Sequence, residues 1–518
     1  MKICGATLET CQVCLLRLAH LVVYVIDDPT AHELDDGISI EESPQGPWIH
    51  VHIADPTAYL PPTHPLSLIA QARCISLYLP EQNFPMMPDI LSEKLFNLGH
   101  SPLAMTFSAR LNNQGEIVDY KVMPSVIQNI KKITYKNADG MLKWDHVYGM
   151  NLPESQRSLW IQGLIESREK EQVSPSEDSV QLQKLQTLVQ KHLEYRVTNG
   201  SISGDRPELN LSLSPYPLPR VPLHVTKPLE FPSQAFPSIT INPITGQSSS
   251  PSHQMVAECM IIAGRVAALY CQDRKIPALY RGQDSVLDTT VPSMHSSIKE
   301  ILDQRDPKTG KIEYTKFFGG LVQHFSTAHH GAQPISHWSM GITDKMGGYT
   351  RVTSPLRRYM DMVAHWNIKQ QLMNPQQPRY TFSQEQIMEM APTVSRRETV
   401  SKVLSRHTVR TWALEWMRRR QIFYKTQDGW TMPPDSVYRK TAEFERTGAT
   451  QGGPVYEAIV TRSHPDFAWS GVMIPSLGGI AANMKMDPGK SLDPGMRLSV
   501  QALAIKPERG QLIVECVD

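Results

Sequence analysis

Residues 21–37 read LVVYVIDDPTAHELDDG. The first six, LVVYVI, form a continuous β-branched and aromatic run, the pattern of a strand covered on both faces. Directly after it, five carboxylates fall within ten residues: Asp27, Asp28, Glu33, Asp35 and Asp36. Like charges crowded this closely repel and raise one another's pKa unless a cation neutralises them. A divalent metal is the natural neutraliser, and hard oxygen donors with no cysteine and only His32 as histidine favour Mg²⁺ or Mn²⁺ over zinc. Pro29 enforces a turn and Gly37 permits close backbone approach, so the carboxylates are expected to fan out of the loop toward one point. The competing reading of the same residues is a solvated acidic turn.

A second constellation, GYTRVTSPLRRY, occupies residues 348–359 and runs into an amphipathic stretch with Met362, Val363 and Trp366. Thr353 or Ser354 is expected to cap a helix with Pro355 in its first turn, which aims backbone N–H groups, Arg357 and Arg358 at an incoming anion. That describes a phosphate site; surface ion pairing is the plainer role for the same arginines.

The chain has 518 residues, room for two to four domains at roughly 150 residues each. Hydrophobic content of 40% and charged content of 20% fit an ordinary globular protein. Its best continuous apolar stretch, Cys14 to Ile26, is broken by Arg17 and His20 and falls short of the roughly 20 residues a bilayer core demands. Seven cysteines are too few, too scattered and odd in number for a disulfide framework, which predicts a reducing compartment. Cys11 and Cys14 form a CxxC near Cys4, but no second pair follows at zinc-finger spacing. With 52 Lys+Arg against 51 Asp+Glu, the net charge of +1 exerts no global pull on nucleic acid, so any polyanion site must be local. The first twenty residues lack both the Arg/Ser-rich character of an organelle transit peptide and a small-residue cleavage site.

Trp48 to Ile53 alternates like a strand, whereas 182–193, 255–271 and 400–416 carry helical apolar spacing. Between them, 205–254 is proline-rich, with a GQSSSPS tail, and is expected to be a surface loop. A linker is expected over 426–452. Beyond it, VYEAIVTRS, FAWSGVMIP, GIAANMKM, RLSVQALAI and GQLIVECV are five strand-like runs, suiting a small OB-type barrel over 453–518 whose sheet face binds single-stranded nucleic acid. A β-domain used only for packing is the alternative.

The two constellations, in this order and this far apart, resemble the ribonuclease II and ribonuclease R (RNB) family, whose catalytic domain opens with IDDP…DD and closes with TSPLRRY followed by D…H. The intermediate blocks VHIADPTAYL, ARCISLYLPEQNFPMMPDILSEKLFNL, TFSARLNNQGEIVDYKV, KKITY and MVAECMIIAG stand in family order, and the resemblance covers roughly 22–372. It implies an α+β fold: an RNB-type catalytic domain over 22–425, a mixed sheet flanked by helices, then the OB-type barrel. It also implies a 3′-to-5′ exoribonuclease that releases 5′-phosphomononucleotides from single-stranded RNA by a two-metal mechanism with Mg²⁺ or Mn²⁺, without a small-molecule cofactor or a membrane.

Residue by residue, the resemblance places the metal-binding acids at Asp27, Glu33, Asp35 and Asp36, with Glu33 where the family usually has aspartate. Tyr78 matches the aromatic that stacks on the 3′-terminal base, Tyr135 a second channel tyrosine, and Glu258 a glutamate near the RNA end. Core packing is the plainer role for these three. Arg357 matches the catalytic arginine, Arg358 its neighbour, and His365 the histidine closing the motif. Arg351 and Trp366, with Asp-Asp-Gly at 35–37, look most like the fungal mitochondrial exoribonucleases, which implies a mitochondrial location, RNA turnover there, an RNA helicase partner and an RNA-contacting role for Arg351. Cold-shock-type barrels that precede the catalytic domain in the family have no counterpart in 1–21, which implies a truncated product or a grip supplied by the C-terminal barrel alone. A catalytically inactive RNA-binding scaffold on the same fold is the rival, and a hydrolase of another phosphodiester a further one.

Overall fold

In the computed structural model, the strand expected at 21–26 runs Val22–Asp27 (β1) and alternates between two cores: Tyr24 and Ile26 face one, Val23 and Val25 the other. The structure describes residues 16–142, 176–204, 208–218, 237–244, 250–424 and 454–517, apart from positions 19, 30, 32, 314–315, 465–467 and 488, and two dipeptides before residue 8. Cys4, the Cys11/Cys14 pair, His32, the expected linker and most of the proline-rich tract lie outside the described residues.

Asp36–Glu41 (β2), Trp48–Ala54 (β3), Leu103–Leu111 (β4), Ile117–Val126 (β5) and Asn129–Thr134 (β6) complete the sheet, in the order β6-β1-β2-β3-β4-β5, with Leu16–Arg17 at the far edge. The sheet is mixed: β6 pairs with β1 and the edge dipeptide with β5 in parallel, the rest antiparallel. The alternation read in β3 is real, yet its polar face is buried too. His50 bonds Ser108 at 2.7 Å and the Glu41 carboxylate at 3.2 Å, while His52 bonds Ser39 at 2.8 Å and Thr106 at 2.9 Å, so polar side chains of the flanking strands satisfy both rings.

Helices cover both faces. Glu177–Thr198 (α2, following the short Pro65–Arg73 helix α1) and Pro251–Arg274 (α3) close one face; Tyr359–Met373 (α4) and the start of Gln384–Tyr424 (α5) close the other. Among the described residues α3 is long and apolar enough to cross a membrane by length and composition. Glu258 and Arg265 interrupt its apolar run, and 72% of its apolar window is buried inside the fold, as befits a core helix.

The proline-rich tract departs from the expected loop. Glu208–Ser214 (β7) and Ser238–Ile244 (β8) pair antiparallel, and Ser250 caps α3 with Pro251 in its first turn. Period-two leucines in ELNLSLS carried that signal among the prolines. The five C-terminal runs are all strands: Val455–His464 (β9), Trp469–Ile474 (β10), Ile480–Lys485 (β11), Arg497–Lys506 (β12) and Gln511–Cys516 (β13), closed in the order β9-β10-β11-β13-β12. The 41-residue helix α5 joins the two bodies, with Ile387, Ala391 and Val394 packed under the sheet and Ala413, Leu414 and Met417 against the barrel.

One close approach fixes where the 348–359 segment lies. Gly264 on α3 accepts a hydrogen bond from the Thr350 N–H at 3.2 Å, and a Cβ there would meet the Tyr349 ring at 2.2 Å and the Thr350 carbonyl at 2.7 Å. Gly264→Ala is therefore expected to destabilise the protein by roughly 1–3 kcal/mol through overpacking. Thermal unfolding of the variant checks this; an unchanged melting temperature would mean that the segment moves aside freely.

Candidate active site

The acids gather where β1 ends and β2 begins. Asp27 is the last residue of β1 and Asp36 the first of β2, and the Asp35 carbonyl accepts the Ala54 N–H at 2.7 Å, which pins the loop to the end of β3. Asp35 itself is buried; its Oδ1 accepts the Leu356 N–H at 3.0 Å and its Oδ2 accepts Arg357 Nε at 2.9 Å. Arg357 keeps 44% of its side chain exposed, so most of its fork remains available to a ligand. Asp27 Oδ1 accepts the Asp28 N–H at 2.8 Å. The Tyr78 hydroxyl donates to Glu33 Oε2, while Glu33 Oε1 is buried with no hydrogen-bond partner among the described residues.

Burial raises the pKa of all four acids. In Asp36 it is reinforced by Asp35 and Asp27, and the group is pushed up to about 7. Glu33 also reaches about 7, burial outweighing the Tyr78 hydrogen bond. For Asp35, burial is opposed by the Arg357 charge and the Leu356 N–H. Asp27 is raised, chiefly by burial.

The arginine segment differs from the expected helix start. α4 begins only at Tyr359, with Arg358 as its cap, and 353–358 form a turn. The reason is Asp361: its carboxylate accepts the Ser354 N–H at 2.8 Å and holds Arg358 through Nε at 3.1 Å and Nη2 at 2.8 Å. The anion that meets the turn's free N–H and Arg357 is thus the protein's own Asp35. Arg351 points elsewhere, into an ion pair with Glu398 of α5.

Tyr78 is half-exposed on a short hairpin, Leu77–Tyr78 with Asn83–Phe84. The preceding residues zip onto the arginine turn: Ser76 N–H to the Arg357 carbonyl at 3.0 Å, and Tyr359 N–H to the Cys74 carbonyl at 2.8 Å. Tyr135 follows β6, whose Thr134 pairs with Asp27; it stacks on His253 at 3.6 Å, and burial together with Asp36, Asp27 and Asp28 holds its hydroxyl protonated. Both tyrosines therefore border the acids. Glu258 does not present a free carboxylate: His192 and Arg196 bond its oxygens inside the core, and the two contacts hold it near pKa 2. Its oxygens are thus engaged inside the core, among α2 and α3. His365 is likewise buried, with Nε2 at 2.8 Å from the Val352 carbonyl.

Among the described residues, no group of three Asp, Glu, His or Cys side chains closes on one point as a bound metal requires. The expected fan does not form because protein donors draw the carboxylates apart: Arg357 takes Asp35, Tyr78 takes Glu33, and the Asp28 amide takes Asp27. The donor set nevertheless suits a hard divalent cation. It is all oxygen, Glu33 Oε1 is an orphaned buried acceptor, and Asp36 lies beside the like charges of Asp35 and Asp27.

Sequence reasoning missed the groups that aim this machinery. Glu398 lies far along α5 and leaves no local signal. Asp55 is buried between Lys369, at salt-bridge contact, and Thr57 at 2.7 Å, tying α4 to the end of β3; its place in the quoted VHIADPTAYL block was the available cue.

A model of the RNB domain matches residues 16–374. The mitochondrial exoribonuclease II of Schizosaccharomyces pombe is 29% identical over 407 residues, 78% of this chain and 40% of that protein. The crystal structure of an active-site mutant of Dss1 exoribonuclease from Candida glabrata matches with a TM-score of 0.70 at 23% identity, covering 97% of this chain and 55% of that one. Yeast Ssd1, described as a pseudonuclease, matches with a TM-score of 0.56 at 13% identity, covering 97% and 55% respectively. The chain spans about 40 to 50% of the length of the first curated relatives it matches.

The raised acids give a signed pH dependence. Glu33 and Asp36 bind protons more tightly folded than unfolded, so without divalent cations their stabilising contribution is complete below about pH 4 and is lost as the pH rises through about 7. Mg²⁺ needs the ionised carboxylates, so it should raise the melting temperature more at pH 8 than at pH 5. Equal shifts at both pH values would remove Glu33 and Asp36 from the metal site.

Proposed function

The chain belongs to the RNB-domain family, and on that premise we propose that it is a hydrolytic exoribonuclease removing 5′-phosphomononucleotides from the 3′ end of single-stranded RNA. The observation that carries this reading is the meeting of under-compensated Glu33 and Asp36 with Arg357 and Tyr78 at one strand end. The family implies dependence on a divalent metal; Asp27, Glu33, Asp35 and Asp36 would hold Mg²⁺ or Mn²⁺, which would supply an activated water and charge neutralisation at the leaving oxygen.

The chain's own residues do the rest. Arg357, braced through Nε by Asp35, presents its remaining N–H groups to phosphoryl oxygens and stabilises the charge that develops there. The Tyr78 ring stacks on the terminal base and, because 74–76 are zipped to 357–359, holds it in fixed register with that arginine. Tyr135 closes the side of the acid cluster. The barrel would grip upstream RNA.

The likeness to Ssd1 keeps an inactive scaffold in view, since the fold alone does not carry catalysis. Retention of the four acids with Arg357 favours the enzyme. The similarity to a mitochondrial exoribonuclease supports a role in mitochondrial RNA turnover, with a helicase partner opening paired RNA.

Matched linear, circular and blunt-duplex RNAs incubated with Mg²⁺ test the reading. The linear strand should be shortened from its 3′ end, the circle and the duplex should persist, and Asp36→Asn should abolish the shortening. Degradation of the circle would show internal cutting; an inert wild type would favour the scaffold.

Tyr78 separates into two functions. Tyr78→Ala should lengthen the limit product, because the stacking platform is lost. Tyr78→Phe should leave the limit product unchanged yet lower the Mg²⁺ demand, since Glu33 is released from the hydroxyl that competes with the cation for it. Sequencing gels at graded Mg²⁺ read both effects, and identical behaviour of the two variants would refute the division.

A further inference from the structure

A second charged cluster lies on the α5 side of Tyr78. Arg351 and Arg281 converge on Glu398, Arg351 in direct contact and Arg281 Nη1 at 3.6 Å from Oε2, with all three side chains less than one-fifth exposed. Lys402, one helical turn beyond Glu398, adds a third cation at the exposed end. His330 sits beside them, its Nδ1 3.0 Å from Ser395 Oγ. With Arg358, the groups Arg281, Arg351, Glu398 and His330 line one end of a narrow cleft between α4 and α5, and Lys402 lies one helical turn beyond it.

The charges do not balance locally. Burial and then Arg351 push Arg281 down to about 10, and burial with Arg281 and Arg351 lowers Lys402. His330, at about 4, is neutral and adds nothing at physiological pH. Three cations thus share the Glu398 carboxylate. The Asp361 carboxylate on the same cleft offers no relief, since Arg358 holds it. Such a cluster is stabilised by an added anion, and planar guanidinium pairs fit phosphate oxygens.

Position identifies the anion. Ser405, one turn past Lys402 on α5, donates to the Tyr78 carbonyl at 3.0 Å, and Ile75 bridges Arg358. The cluster therefore shares a wall with the base platform. Resting on the exoribonuclease reading, we propose that Arg281, Arg351 and Lys402 form a subsite for a backbone phosphate of the RNA upstream of its terminal nucleotide, and that Glu398 is an intramolecular stand-in which this phosphate displaces.

The site makes Glu398 a competitor of RNA, which distinguishes it from an ion pair that merely braces α5. Titrating a labelled single-stranded oligonucleotide into the full chain, in EDTA and at several salt concentrations, tests it. Glu398→Gln should bind about fivefold tighter, the scale of one partly exposed ion pair, with a log–log salt slope steeper by about 0.7. Lys402→Gln, at an exposed position that folding tolerates, should bind more weakly with a flatter slope. Inorganic phosphate should compete better against wild type than against Lys402→Gln if a phosphate group is what is recognised. Wild-type binding with both variants unchanged, or a Glu398→Gln protein that melts normally and binds no tighter, overturns the subsite and leaves the nuclease reading intact. Absence of RNA binding by the wild type overturns both.

Discussion

Asp35 and Arg357 are 322 residues apart in sequence, and their ion pair is the contact on which the functional end of the molecule is built. A carboxylate as buried as Asp35 is strongly destabilising without a partner, so the guanidinium and the Leu356 N–H must both be in place for β2 to start where it does. Meeting that demand draws the 353–358 turn onto the sheet. The turn in turn fixes Cys74–Ser76 by backbone pairing, and with them the direction of the Tyr78 hairpin. Acid loop, arginine turn and aromatic platform are therefore one mechanical unit, not three motifs that happen to be neighbours.

That dependence also divides labour among the acids. Asp35 is committed to Arg357, whereas Asp36 and Glu33 remain under-compensated, and their raised pKa values express it. A cation entering such a site relieves an existing electrostatic cost and does not need to pull carboxylates from good partners; only the Glu33–Tyr78 and Asp27–Asp28 contacts stand in its way. Glu33 matters here. Its carboxylate accepts the Tyr78 hydroxyl, which ties the acid cluster to the hairpin that carries the tyrosine.

Much of this was legible in the sequence where the signal was local and periodic. LVVYVI declared a strand buried on both faces, and the five C-terminal runs declared a small barrel, because alternation over a few residues is sufficient for each. The acid cluster and TSPLRRY were legible as motifs, and the structure brings them together through Asp35 and Arg357. What spacing could not show was the distant partners. Asp361 turns an apparent helix cap into a turn, Glu398 diverts Arg351, and His192 with Arg196 absorbs Glu258; none of these pairings follows from spacing along the chain. The β7/β8 pair was missed for another reason: prolines dominated the composition while the leucine alternation between them was ignored.

If the chain is the proposed exoribonuclease, a net charge of +1 raises the question of how it would hold a polyanion. The structure answers by segregation. Carboxylates concentrate at the β1/β2 end, and cations concentrate along α5 and the segments packed on it, so a strand crossing from one to the other meets attraction along its backbone and repulsion at its tip. Divalent cations convert that repulsive tip into the most favourable point of the path. Affinity for the body of the RNA and productive seating of its end are then controlled by different ions, monovalent salt screening the first and the divalent metal enabling the second. The proposed exoribonuclease, arranged this way, would hold RNA without cutting it when the metal is scarce, and would need no excess of basic residues over the whole surface to do so.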